Sequence, residues 1–82
     1  MNNIEEFVGN CILRNTGKLV VNADDNILKL DISPLELLYV IIEIEQKYGI
    51  PAKDIINNTT VDSFTIRHIS QIIYEKKMVI NA

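Results

Sequence analysis

The sequence of 82 residues has very little of what catalytic and metal sites require. It contains one cysteine, Cys11, and one histidine, His68. Structural zinc sites combine several cysteine and histidine ligands, so we expect no metal site. A nucleophilic catalytic pair would have to join His68 to Cys11 or to a serine on another helix. We expect both residues to serve in packing, predict no catalytic residue, and predict that the protein is not an enzyme.

Positive charge and long apolar runs are also scarce. Eight Lys and Arg residues against eleven Asp and Glu residues give a net charge of −3, which provides no electrostatic drive toward a phosphate backbone. The longest apolar run covers six residues, 37–42, whereas a membrane-spanning helix needs about 18 or more. We therefore expect neither a nucleic-acid partner nor a membrane partner.

Length, cysteine content and the first residues bear on domain number and location. The 82 residues are about half of a usual domain of ~150 residues, so we predict one domain over residues 1–82. A single cysteine forms no internal disulfide, which favours a reducing compartment. Residues 1–6 contain neither the basic nor the apolar part of a secretory signal. These features predict a soluble, cytoplasmic protein.

Apolar residues at helical spacing predict a first helix from about Asn3 to Asn15. We expect Asn3 to cap the start of this helix and Gly17 to end it. Its apolar face consists of Ile4, Phe7, Val8, Cys11 and Ile12.

The second helix has the clearest start signal in the sequence. Ser33, Pro34 and Glu36 combine a capping serine, a proline at the first helical position and a glutamate three residues after the cap. The helix is predicted to run to Tyr48 and to stop at Gly49. Apolar residues surround most of its first two turns, which is more than one buried face requires.

Two further helices are predicted after Pro51. The first is a single short turn over residues 52–56, closed by two asparagines. Thr59 or Thr60 is then expected to cap a last helix. The apolar residues assigned to that helix are Val61, Phe64, Ile66, Ile69, Ile72 and Ile73.

Residues 19–32 allow two interpretations. Two β-prone runs flank the turn-like segment 22–26 and predict a β-hairpin by local propensity. Alternatively, the segment is a long ordered loop, in which Val20, Ile27 and Leu30 fill the core of a helical protein. The predicted fold class is all-α: four helices, with a long connection after the first helix and a short third helix.

The order and spacing of these segments resemble the acyl carrier protein family over nearly the whole chain. The stretch 35–50, from Leu35 to Ile50, looks like the helix by which partner enzymes recognise carrier proteins. Thr59-Thr60-Val61 resembles the threonine-valine entry to the last helix of the family. The resemblance implies a four-helix acyl-carrier-like bundle. In length and layout the chain also resembles acyl-carrier-related proteins of peptide maturation systems.

The attachment motif of the family is broken in this chain. Carrier proteins hold a phosphopantetheine arm on the serine of an Asp-Ser-Leu motif. In register with Leu35, this chain has Ser33 in place of the aspartate and Pro34 in place of the serine. Proline has no hydroxyl group, so no arm can be attached at that position. Either Ser33 has shifted by one place and carries the arm, or it is only the helix cap that its neighbours predict.

The resemblance also implies a docking surface on the second helix. The candidate partner-binding residues are Leu35, Glu36, Tyr39, Val40 and Glu43. Carrier proteins present a strip of acidic residues there, and basic patches on partner enzymes bind this strip electrostatically. Tyr39 stands where the family often has another acid. Beside Val40 it suggests an exposed apolar patch for binding, unless the long loop folds over both residues and buries them.

The leading hypothesis is therefore a non-catalytic, acyl-carrier-like protein that docks onto enzymes of a biosynthetic or peptide-maturation pathway. In this hypothesis it has no phosphopantetheine and no other cofactor. The alternative hypothesis is a functional acyl or aminoacyl carrier with phosphopantetheine on Ser33. Only the alternative requires a phosphopantetheinyl transferase as a further partner.

Overall fold

The computed structural model describes residues 2–81, with side chains for residues 2–77. Within this range the chain forms four α-helices, α1 (Asn3–Thr16), α2 (Pro34–Tyr48), α3 (Ala52–Asn57) and α4 (Ile66–Asn81), and no β-strand. The predicted all-α class is therefore confirmed. None of the helices in this described part is both long enough and apolar enough to cross a membrane.

The first helix begins and ends at local signals. Asn2 caps α1, one residue before the predicted cap Asn3, because its side chain accepts the Glu5 amide while the Glu5 side chain accepts the Asn2 amide. At the other end Gly17 takes the left-handed conformation, with φ of 74°, and its amide donates to the Leu13 carbonyl. Gly17 therefore ends the helix as predicted.

The long connection between α1 and α2 is an ordered loop, so the hairpin interpretation of residues 19–32 is wrong. Its one regular piece is a 3₁₀ turn over Ile27–Lys29. The Ile27 amide donates to the Phe64 carbonyl at 2.8 Å, and the Asn26 side chain donates to the Val61 carbonyl at 2.7 Å. The loop thus bonds to the segment before α4, and the hydrogen bonds within the loop close only local turns of two or three residues. As the loop interpretation predicted, Val20 and Ile27 are buried and Leu30 packs partly buried against the core.

The last helix begins later than predicted. Thr60 caps a separate 3₁₀ turn over Val61–Ser63. The helix α4 starts only at Ile66, where the Thr65 hydroxyl accepts the His68 amide. Val61 is consequently exposed rather than part of the helix core.

One core cluster draws on all four helices and on the loop. The helix α1 packs against both α2 and α4, and α3 packs against α2 and α4. The fully buried aliphatic side chains include Ile12, Ile27, Ile44, Ile55, Ile66 and Ile73. This packing leaves one side of the first two turns of α2 exposed, and the candidate site lies there.

Replacing Gly9 with alanine is expected to raise the free energy of unfolding by about 0.5–1 kcal/mol, since alanine restricts the unfolded chain and favours the helix interior. A Cβ at this position would lie 3.7 Å from the Ile66 Cδ1 atom, an ordinary contact. The measurement is urea denaturation followed by circular dichroism. Gly17→Ala is the matched control, with the opposite sign expected because its φ is positive. A loss of stability in Gly9→Ala would contradict the α1–α4 packing described above.

Candidate functional site

Ser33 is the N-cap of α2. Its hydroxyl accepts the Glu36 amide at 3.1 Å, and its own amide donates to the Glu36 carboxylate at 3.0 Å. Pro34 occupies the first helical position, where no amide donor is needed. The hydrogen bonds from Ser33, first that of its backbone amide, lower the pKa of the Glu36 carboxyl. Ser33 and Glu36 thus form the predicted capping box, and the Ser33 hydroxyl is already bonded within the protein.

Three large apolar side chains lie exposed on the first two turns of α2. Leu35 is 58% exposed, Leu38 43% and Tyr39 51%. They stand at positions i, i+3 and i+4, so they share one side of the helix. We call Leu35, Leu38 and Tyr39 the α2 patch. The alternative in which the long loop buries Tyr39 is therefore wrong.

Val40 does not belong to this patch. Only 2% of it is exposed, and it lies in the core cluster with Ile41 and Ile44. Val40 and Ile44 are four residues apart, so they share the inward side of α2, whereas Tyr39 is turned about 100° away. The expectation that Val40 is exposed beside Tyr39 is wrong.

Glu43 also faces another part of the protein. Its carboxylate accepts the Asn15 side-chain amide at 2.8 Å and forms an ion pair with Arg14, both on the last turn of α1. These interactions, first that of Asn15 and then that of Arg14, lower the pKa of the Glu43 carboxyl. Glu43 therefore joins α2 to α1 rather than extending the α2 patch.

Cys11 lies under this polar group and is fully buried. Its thiol donates to the Glu43 carboxylate, with 3.3 Å between sulfur and oxygen. Burial, and then the hydrogen bond and the charge of Glu43, raise the pKa of the thiol to about 12. A thiol that stays protonated at neutral pH is a poor nucleophile. Its burial in the core agrees with the packing role expected from the sequence.

Sequence reasoning did not single out the partners that Glu43 finds on α1. Arg14 and Asn15 lie three and four residues after Cys11, so they share the side of α1 on which Cys11 faces α2. This spacing is the feature of the sequence from which the contact between these residues and α2 could have been predicted. His68, by contrast, donates through Nε2 to the Asn58 carbonyl at 2.7 Å and so ties α4 to the end of α3. Among the described residues, no group of three or more His, Cys, Asp or Glu could hold a metal ion.

Comparison with known proteins gives no relative for this chain: no family model, no curated protein and no solved structure matches it.

Proposed function

We propose that this chain is a non-catalytic, acyl-carrier-like protein that docks onto enzymes of a biosynthetic or peptide-maturation pathway. The observation that carries the proposal is the α2 patch beside a helix start whose serine acts as a cap. Leu35, Leu38 and Tyr39 are exposed on the helix to which partner enzymes of carrier proteins bind. The protein presents a surface there and needs no chemistry of its own.

The absence of an arm is supported by residues 33 and 34. Pro34 has no hydroxyl group, and the Ser33 hydroxyl is bonded to the Glu36 amide. Attachment at Ser33 would disturb a cap that contributes about 1 kcal/mol to helix stability. The same bonds hold Glu36 next to the α2 patch, where its charge is available to a basic partner surface.

The chemistry of the α2 patch favours a protein partner. Aromatic and large aliphatic side chains dominate binding energy when a partner covers them, and flanking charges set orientation and association rate. By the same resemblance Glu45, further along α2, matches another acid of the strip that carrier proteins present, and its carboxylate accepts the Ala52 amide at 2.6 Å. Its carboxylate serves the start of α3, and Glu45 lies six residues beyond Tyr39, so Glu36, which follows Leu35, is the acid beside the patch. The matching enzyme surface would be an apolar hollow with a basic edge.

The second candidate function is an acyl or aminoacyl carrier with phosphopantetheine on Ser33. One observation favours it: Ser33 is exposed at the N-terminus of the 15-residue helix α2. A phosphodiester is favoured at such a position by free amides and by the helix dipole. A phosphopantetheinyl transferase would then be a partner.

Intact mass measurement after incubation with coenzyme A and a broad-specificity phosphopantetheinyl transferase distinguishes the two functions. We expect no mass gain in the wild-type protein. The double variant Ser33→Asp with Pro34→Ser recreates the Asp-Ser-Leu motif and keeps a capping side chain at position 33. We expect this variant to gain one arm, because the transferase would then meet an intact motif on a carrier-like fold.

Two other outcomes of this experiment would contradict the proposal. Gain of an arm by the wild-type protein that disappears in Ser33→Asp would establish the second candidate function. Failure of the double variant, while a standard carrier protein gains its arm in the same reaction, would remove the support for a carrier-like protein.

Docking is tested by recovering partner proteins on immobilised wild-type and variant protein and quantifying each by mass spectrometry. We expect Leu35→Ala and Tyr39→Ala to lower the recovery of specific partners at least tenfold, as for central interface residues. Tyr74→Ala is the matched control, since Tyr74 on α4 is similarly exposed. Equal recovery by Tyr39→Ala and Tyr74→Ala would exclude the α2 patch as the docking surface.

A further inference from the structure

We propose that a groove between the start of α1 and α4 binds a small organic cation that carries a protonated primary amine. This groove has a volume of about 420 Å³ and lies apart from the α2 patch. That volume is in the range of small-molecule sites. Its walls include the side chains of Ile4, Glu5, Arg67, Ser70, Tyr74 and Glu75.

The first observation is an unsatisfied hydroxyl group. Ser70 is only 4% exposed, and its Oγ atom has no hydrogen-bond partner among the described residues. Buried hydroxyl groups are nearly always bonded, since leaving one unpaired costs folding free energy. Ser70 lines the groove, but its Oγ atom is closed off from water, so the hydroxyl would rotate toward a ligand that supplies the missing partner.

The second observation is a buried carboxylate of which one oxygen makes no hydrogen bond within the described residues. Glu5 is 6% exposed. Its Oε1 atom accepts the Asn2 amide at 3.0 Å as part of the α1 cap. Its Oε2 atom forms an ion pair with the Arg67 guanidinium at 3.8 Å, a distance too long for a hydrogen bond. A buried carboxylate needs a close cationic donor, and this oxygen has none at hydrogen-bond distance within the described part of the chain.

The charge of the groove selects a cation. Arg67 is the positively charged residue in its wall, but Arg67 is held by Asp24 through two hydrogen bonds of 2.6 and 3.2 Å. Glu5 and Glu75 therefore leave the groove with a negative potential. An ammonium group donates up to three hydrogen bonds, which suits both the Glu5 carboxylate and the Ser70 hydroxyl.

The remaining walls accommodate an alkyl chain. Ile4 provides apolar surface, and Tyr74 provides an exposed aromatic ring. An aromatic face attracts a cation as well as an apolar chain. The predicted ligand is thus an alkylammonium compound, with its charged end toward Glu5 and Ser70 and its chain along Ile4 and Tyr74.

Nuclear magnetic resonance titration of the ¹⁵N-labelled protein with n-butylammonium chloride tests the proposal, and 1-butanol serves as the uncharged probe. At physiological salt we expect saturable shifts confined to residues 2–5 and 67–75 with butylammonium and none with butanol. Glu5→Gln keeps an acceptor for the Asn2 amide but removes the charge. Losing a hydrogen bond to a charged group is expected to weaken butylammonium binding about tenfold or more.

Two further variants separate binding from folding. Ser70→Ala is expected to weaken butylammonium binding without lowering the melting temperature, because it removes a hydroxyl that has no partner in the protein. A lower melting temperature with unchanged binding would show that the hydroxyl is structural and would overturn its role in the site. Glu6→Gln removes one charge from the same first turn but outside this groove, so it should bind like the wild type.

The proposal is overturned if butylammonium causes no localised shifts, if butanol causes the same shifts, or if Glu6→Gln loses as much affinity as Glu5→Gln. If Glu5→Gln fails to fold, Ser70→Ala decides the outcome alone. None of these results depends on whether the α2 patch docks onto an enzyme.

Discussion

Replacing Ile44 with alanine is expected to lower the free energy of unfolding by about 2–5 kcal/mol, the range for truncating a buried isoleucine. Ile44 is fully buried on the inward side of α2. The loss combines the transfer of its methyl and methylene groups with the cavity that they leave. Because small domains are stabilised by only about 5–15 kcal/mol, much of the stability would be lost. Urea denaturation followed by circular dichroism measures the change.

Leu38→Ala on the same helix is the control for Ile44→Ala. Leu38 is part of the exposed α2 patch, and exposed positions away from special features change stability by only about 0.5 kcal/mol. A comparable loss in both variants would mean that α2 turns a different side to the core, and the assignment of the α2 patch as the free surface would then be wrong. The pair therefore tests the orientation on which the docking proposal rests.

Alkylation of Cys11 by iodoacetamide at pH 8 is expected to be about a thousandfold slower in the folded protein than in the protein unfolded in urea. The thiol pKa rises from 9.0 to about 12 on folding, and each unit lowers the thiolate fraction about tenfold. Folding raises this pKa, so the associated stability is fully present below pH 9 and is lost as the pH rises toward 12. The alkylation rate is followed by intact mass.

The variant Glu43→Gln separates the two causes of this protection. Burial is the larger cause of the raised pKa, and the hydrogen bond and charge of Glu43 are the smaller ones. The variant should therefore react faster than the wild-type protein but far more slowly than the unfolded protein. Equal rates for folded wild-type and unfolded protein would contradict the burial of Cys11 between α1 and α2.

The helix ends show how much of the fold could be predicted from the sequence. Ser33, Pro34 and Glu36 start α2 as predicted, and Gly17 and Gly49 end α1 and α2 in the left-handed conformation. These signals operate within four residues, because caps bond to amides of the adjacent turn. The predicted start of α4 was wrong because several residues here can act as caps: the prediction placed the cap at Thr59 or Thr60, whereas Thr60 caps the 3₁₀ turn and Thr65 caps α4.

The site was predicted less completely. Leu35 and Tyr39 are exposed as a docking surface requires, but Val40 is buried and Glu43 is bonded to Arg14 and Asn15. Apolar residues surround the start of α2, so the pattern alone did not show which side the core covers. The groove with Glu5 was also missed, although Glu5, Val8 and Ile12 share a helical side at spacings of three and four residues.

By itself, the sequence determined the four helical segments, the positions of most helix ends and the capping role of Ser33, since all of these follow from interactions between close neighbours. Only the tertiary structure decided that residues 19–32 form a loop, that Tyr39 is exposed while Val40 is buried, and that Cys11 lies beneath Glu43. Those outcomes depend on partners distant in the chain: Cys11 and Glu43 are 32 positions apart, and Asp24 and Arg67 are 43 apart. Local propensity carries no information about such pairs, because packing and burial between distant segments decide them.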